Sequence, residues 1–211
     1  MSQAAKPTGF IGKTLAKGMA RGHKVFYENT AKVLDLKPDD RFLEIGFGAG
    51  LFIKRYASNV SRIAGIDISG DMVELASSIN KDLIKSGKVE LKQGDVASLP
   101  WDDNEFSVVV VIETFFFWPE PLKSLKEIFR VLAPGGRLVI EMAFNKDDGL
   151  DHTKHIKKYE MRLYSAEEMK QLLTEAGFSE VEIHYFKAVK MPFKGYIVPR
   201  GMILKAVNRM S

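Results

Sequence analysis

From Arg41 onward the apolar positions switch between two periods, and the switching predicts the elements. Phe42–Ile45 is a short apolar run of strand type, and a helical pattern follows the glycine-rich 46–50 stretch to about Ala57. Arg62–Ile66 predicts the next strand. Ser69-Gly70-Asp71 opens a helix through Met72, Leu75, Ala76 and Ile79 to about Lys85, with Gly87 as its stop. Val89 and Leu91 mark a short strand. Val108–Ile112 is uninterrupted Val and Ile, the pattern of a central strand covered on both faces. A helix from Pro121 to Leu132 begins with proline where the missing N–H costs nothing. Ala133-Pro134-Gly135-Gly136 breaks it and feeds a strand over Arg137–Met142. Ser165-Ala166-Glu167-Glu168 has the form of a capping box and opens a helix that stops at Gly177. Two late strands, near 181–186 and 202–207, finish the chain.

Two helices precede this alternation. Phe10, Ile11, Leu15 and Met19 recur at helical spacing with Lys13, Lys17 and Arg21 on another face, which predicts a basic amphipathic helix over roughly 10–21. Gly12, Gly18 and Gly22 weaken it. A second helix spans about 25–36 and ends before the turn-rich Lys37-Pro38-Asp39-Asp40. The strand–helix–strand rhythm predicts an α/β fold of Rossmann-like type, a parallel sheet with helices on both faces. Ligands of such sheets bind outside the carboxyl ends of the strands, at the switch point beside the first strand. No repeat, linker or low-complexity tract divides residues 1–211, so a single domain is expected, with 1–36 as a helical lid over the site. Contact with a membrane surface is the other use of a basic amphipathic helix.

Composition narrows the function classes. Apolar content of 45% and charged content of 27% suit a globular domain. The chain has no cysteine, which excludes disulfides, thiolate metal sites and cysteine nucleophiles. Met1–Lys6 lacks an apolar signal core and no stretch approaches about 20 apolar residues, so a cytoplasmic address is expected. The net charge of +4 is unevenly spread. Residues 1–24 and 187–211 carry basic side chains and no acid, leaving an acidic body between basic ends that can attract phosphate groups, nucleic acid or an anionic membrane.

Four strand ends carry candidate chemistry. After the first strand, Leu43-Glu44-Ile45-Gly46-Phe47-Gly48-Ala49-Gly50 sets a carboxylate and then glycines at alternate positions, which lets backbone amides approach a nucleotide-type cofactor. The third glycine comes one residue too early for the dinucleotide pattern, and Leu51 stands in its place. Asp67 ends the second strand and can accept from both hydroxyls of a ribose. Asp95 and Val96 follow the third, where a carboxylate and a backbone amide can read an adenine edge. Glu113 ends the fourth and faces the glycine turn across the crevice.

These motifs resemble those of class I S-adenosylmethionine-dependent methyltransferases, in the subgroup acting mostly on small molecules and lipids. The resemblance runs from about Leu36 to Ile183 and includes Gly65-Ile66-Asp67-Ile68-Ser69, Gly94-Asp95-Val96, Pro134-Gly135-Gly136 and Gly177-Phe178. It implies a mostly parallel seven-stranded sheet in a three-layer sandwich, ending in an antiparallel hairpin. It also implies S-adenosyl-L-methionine as cofactor. Glu44, Gly46, Gly48 and Gly50 would hold its methionine part and Asp67 its ribose. Ile68 and Met72 would meet the adenine face, with Asp95 and Val96 at the adenine edge. Phe106-Ser107 departs from the family's frequent Phe-Asp before strand four, and Glu113-Thr114-Phe115-Phe116-Phe117-Trp118 stands where many relatives carry histidines.

The expected activity is methyl transfer to a small-molecule or lipid-like acceptor by in-line displacement, in which alignment does most of the work. A general base is needed only where the acceptor must lose a proton. Glu113 is the candidate, with binding of the cofactor's ammonium as its alternative role. His23 and Tyr27 in the amino-terminal helices, and Phe117 in the aromatic segment, are candidates for the acceptor side. The aromatics 115–118 either wall the acceptor site or pack beneath the following helix. His152 and His155, near Asp148 and Asp151, are of metal-ligand type, but their segment reads as a solvated loop and no metal is assigned. Nucleic acid as acceptor would suit the basic ends, yet no recognition domain or Asn-Pro-Pro-Tyr-type motif is present. A non-catalytic cofactor-binding module that docks on a membrane or partner through the basic helix is the rival of another class.

Overall fold

A computed structural model describes residue 9, residues 24–190 and residues 197–209. The helix expected over 10–21, and with it His23, lies outside the described residues. The rest of the predicted order is present. Helix α1 (Lys24–Leu34) leads into β1 (Arg41–Ile45), α2 (Leu51–Tyr56), β2 (Arg62–Asp67), α3 (Gly70–Ile79), α4 (Lys81–Lys85) and β3 (Val89–Gln93). Next come β4 (Phe106–Ile112), α5 (Pro121–Val131), β5 (Leu132–Met142), α6 (Thr153–Tyr159), α7 (Ala166–Glu175), β6 (Ser179–Lys190) and β7 (Ile197–Val207).

The seven strands run in the order β3-β2-β1-β4-β5-β7-β6. The first five pair in parallel, and β7 pairs antiparallel with both β5 and β6. Because β1 lies between β2 and β4, successive crossovers leave in opposite directions from it, and the crevice opens at its carboxyl end. Strand alternation sorts side chains to two cores. Leu43, Val109, Val111, Leu138 and Ile140 pack on one face with Leu125, Ile128, Met169 and Leu173 of α5 and α7. Phe42, Val108, Val110 and Val139 pack on the other with Phe26 of α1 and Phe52 of α2. Val108 to Val111 are completely buried, as expected of a strand covered on both sides.

Three differences have local causes. The helix expected over 71–85 breaks at Asn80, whose buried amide nitrogen donates to the Gly50 and Ala76 carbonyls and ties the helix to the glycine turn. Strand pairing begins earlier than Arg137, because Leu132 already pairs with Phe106 across a bulge. The late strands are longer than 181–186 and 202–207, and pairing continues outward to Lys190 opposite Ile197. The expected capping box is present: Ser165 Oγ accepts from the Glu168 amide, and the Glu168 carboxylate accepts from the Ser165 amide. Among the described residues, no helix is long and apolar enough to cross a membrane.

Candidate active site

Asp40, just before β1, anchors the amino-terminal edge of the sheet, opposite the crevice. Its carboxylate accepts from the Arg137 guanidinium at 2.6 and 3.2 Å, from the Lys37 amide at 2.7 Å and from Ser107 Oγ at 2.7 Å. Arg137 also donates to the Leu34 and Asp35 carbonyls. One buried cluster thereby fixes α1, β1, β4 and β5 to one another. Burial would raise the Asp40 carboxyl, but the guanidinium and these hydrogen bonds outweigh it and hold the carboxyl below its ordinary value. Ser107 is part of this anchor.

The glycine turn follows β1. Gly46, Gly48 and Gly50 all have positive φ, at 70°, 52° and 68°. Their surroundings differ. A Cβ on Gly46 would stand 2.6 Å from Thr114 Cγ2, and one on Gly50 would stand 2.8 Å from both Ala76 Cβ and Asn80 Nδ2. At Gly48 a Cβ would meet nothing within 4 Å. Two of the three glycines thus admit neighbouring protein, and one leaves open space for a ligand. The amides are also engaged internally, Gly46 to the Ile66 carbonyl, Gly50 to the Phe47 carbonyl and Gly48 to Asp67 Oδ2. The turn is thus held by hydrogen bonds of its own.

Asp67 is oriented by two backbone donors, Gly48 at 2.8 Å and Ser69 at 2.9 Å, one to each oxygen. Each oxygen keeps a further lone pair free to accept. Burial raises its carboxyl despite those two bonds. Glu44 is 3% exposed and accepts from the Ile53 amide in the first turn of α2, while its Oε2 has no partner among the described residues. Burial and the Asp67 charge push it well above the carboxylate range. Ile68 is half-buried, whereas Met72 is completely buried against Ala49 and Leu75. Asp95 is exposed and caps its own turn by accepting from the Ala97 amide, and Val96 is half-buried beside it.

Glu113 stands at the end of β4 with φ at +58°, a left-handed conformation that strains a side-chain-bearing residue by about 1–2 kcal/mol. Its amide donates to the Glu141 carbonyl at 3.1 Å and its Oε1 accepts from the Ala143 amide. Burial pushes its carboxyl up to about 7. Glu141, which the sequence reading missed, is completely buried, and among the described residues neither of its carboxylate oxygens has a partner. Burial first, and the Glu113 charge second, raise it well above the usual range. The available signal was one carboxylate inside the otherwise apolar Leu138–Met142. Tyr27 of α1 lies over the same ground. Its phenol is raised by burial and then by the charges of Glu44, Glu141 and Glu113.

The aromatic segment divides. Phe115, Phe116 and Trp118 are buried in the core shared with α5, with the Phe115 ring 4.7 Å from Trp118 and 5.2 Å from Tyr164. Phe117 is half-buried, so it alone of the four keeps substantial surface. His152 is corrected from solvated to buried: its Nε2 lies 2.8 and 2.9 Å from the two Asp148 oxygens, with Phe144 edge-on to its ring. The segment is not a plain loop either, since Thr153–Tyr159 is helical. A cleft of about 460 Å³ beside it is lined by Lys146, His152, Ile156, Met161 and Arg162 among others. Among the described residues, no group of three potential ligands could hold a metal ion.

A methyltransferase domain family model matches residues 43–140. A demethylmenaquinone methyltransferase of Staphylococcus saprophyticus is 25% identical over 191 residues, covering 78% of this chain and 81% of that protein. An uncharacterized protein of Methanocaldococcus jannaschii is 30% identical over 168 residues, 76% of this chain and 75% of its own length. In structure, the chain resembles the methyltransferase bound to the Trm112 activator of Haloferax volcanii, with a TM-score of 0.77 and 21% identity over 93% of this chain and 95% of that one.

Proposed function

The chain belongs to the class I S-adenosylmethionine-dependent methyltransferases, and from that premise we propose that it methylates a small-molecule or lipid-like acceptor at the carboxyl ends of β1, β2 and β4. The cofactor, S-adenosylmethionine, supplies a methyl group on a sulfonium. The residues fit it on three observations: the open side of Gly48, the two free lone-pair positions on Asp67 and the orphaned buried Glu44 Oε2.

In this reading Asp67 accepts from the ribose hydroxyls and Glu44 meets the ammonium of the methionine part. Ile68 presents its exposed side to the adenine face, with Asp95 and Val96 at the edge. Met72 acts beneath the turn by packing on Ala49. Gly46 and Gly50 shape the turn by admitting Thr114 and Asn80. Glu113 faces the acceptor and takes a proton where the acceptor must lose one. Tyr27 and Phe117 border the acceptor space, and α1 covers the site. Gly9 lies at the same end of the sheet, its amide donating to Asp71 at the start of α3 across 2.9 Å.

The observation that carries the reading is the joining of the β1 glycine turn to the β2 acid through the Gly48–Asp67 bond. The name of the S. saprophyticus relative, a demethylmenaquinone methyltransferase, favours a small-molecule or lipid-like acceptor. Label transferred from the cofactor's methyl group to a panel of quinones, phospholipids, amines and phenols tests it. Incorporation into at least one class is expected, and incorporation only into RNA or DNA would overturn it.

A further inference from the structure

The acids of the crevice outnumber the cations available to them. Glu44 and Glu141 leave β1 and β5 on the face covered by α1, Glu113 stands at the end of β4, and the Tyr27 phenol senses all three charges. Asp67 lies at the adjoining end of β2. Among the described residues, no Lys, Arg or His pairs with any of these four carboxyls. A buried carboxylate without a counter-charge is destabilising by several kcal/mol, so an arrangement of this kind favours a cationic occupant. The cofactor carries one sulfonium, one ammonium and one carboxylate, a net single positive charge. Glu44 is placed for that charge, which leaves Glu113 and Glu141 uncompensated.

Those two are a built pair. The Glu113 amide holds the Glu141 carbonyl at 3.1 Å, and the Ala143 amide fixes the Glu113 carboxylate. Behind it Glu141 sits between the Ile112 and Ile203 rows of the sheet, completely buried with both oxygens unpartnered among the described residues. A carboxylate whose only role was structural would have found a donor there.

We propose that Glu113 and Glu141 form the receptor for a cationic amine, so that the methyl acceptor is a nitrogen. This rests on the methyltransferase reading and names its substrate class. A primary or secondary amine enters as the ammonium, drawn by the pair. One N–H bond breaks, its proton passes to the Glu113 carboxylate, and the electron pair left on nitrogen would form the new N–C bond as the S–CH3 bond of the cofactor breaks, that bond's pair staying on the departing thioether sulfur and the positive charge passing to the methylated nitrogen. Glu113 touches the acceptor. Glu141 is a positioning residue behind it, neutral in the empty site and releasing its proton to solvent to supply the second negative charge when the cation enters.

The full chain saturated with S-adenosylhomocysteine is titrated with methylammonium chloride, small enough to enter any acceptor site, against sodium chloride at equal ionic strength. Thermal unfolding reads binding, and labelled S-adenosylmethionine with matched amines, alcohols and phenols reads the methylated atom. The expected result is a methylammonium-specific rise in Tm for the wild type. Its apparent affinity should fall about tenfold in Glu113→Gln and in Glu141→Gln while calorimetric S-adenosylhomocysteine binding is unchanged. Label should appear on nitrogen, and Glu141→Gln should raise KM for the amine more than it lowers kcat. No specific rise in the wild type, an equal rise in both variants, or label confined to oxygen or carbon overturns the proposal. Failure of the wild type to bind S-adenosylhomocysteine would instead remove the cofactor site itself.

Discussion

The Gly48 amide donates to the Asp67 carboxylate across 2.8 Å, so the turn after β1 and the acid after β2 form one unit. A negative charge that orients a glycine turn cannot be replaced by shape alone. The three glycines of the turn play different parts, set by Thr114 beside Gly46, by Ala76 and Asn80 beside Gly50, and by open space beside Gly48.

Substitution of each glycine by alanine should separate those parts. Gly48→Ala meets open space and bears only the left-handed backbone strain, about 1–2 kcal/mol. Gly50→Ala adds a clash with Ala76 and Asn80, which belong to a packed helix, and should unfold at a clearly lower temperature. Gly46→Ala strikes the Thr114 methyl, so Thr114→Ser in the same chain should recover part of the loss. Thermal unfolding of the four proteins checks the order.

The Asp40–Arg137 pair should govern stability in acid. The folded Asp40 carboxyl lies below its ordinary value of 3.8, so its contribution is complete above that value and disappears as the pH falls through the folded one. Asp40→Asn should therefore lose about 3 kcal/mol at neutral pH, and the difference from wild type should shrink below pH 3.8. Urea unfolding at several pH values measures both.

Glu141 has the opposite sign. Its folded carboxyl is raised above 4.5, so the ligand-free protein binds more protons than the unfolded chain and loses stability as pH rises past that value. Glu141→Gln should stabilise the ligand-free protein at pH 8, by roughly 1 kcal/mol or more, and have little effect near pH 4.5. Equal effects at both values would mean that Glu141 finds a partner in solution.

Much of the frame was legible because it depends on local pattern. Val108–Ile112 reads as a doubly covered strand, and Ser165 with Glu168 reads as a cap, since each signal lies within a few residues. Asp67 was legible as a strand-end acid. Three features were not. Asn80 breaks a helix to reach Gly50, thirty positions away in sequence. Asp40 was a turn former until Arg137 and Ser107 came beside it through the sheet. His152 was read as solvated because Asp148 and Phe144 enclose it only when the segment folds back. In each case the deciding partner is distant or adjoins through tertiary packing, which periodicity does not report.

Calorimetric titration of the wild type and of Asp67→Ala with S-adenosylmethionine tests the central claim most directly. A single site in the wild type is predicted, weakened at least about tenfold in Asp67→Ala through loss of hydrogen bonds to a charged acceptor. The ribose would lose its acceptor and Gly48 its anchor together. No binding by the wild type, or undiminished binding by Asp67→Ala, would contradict the account.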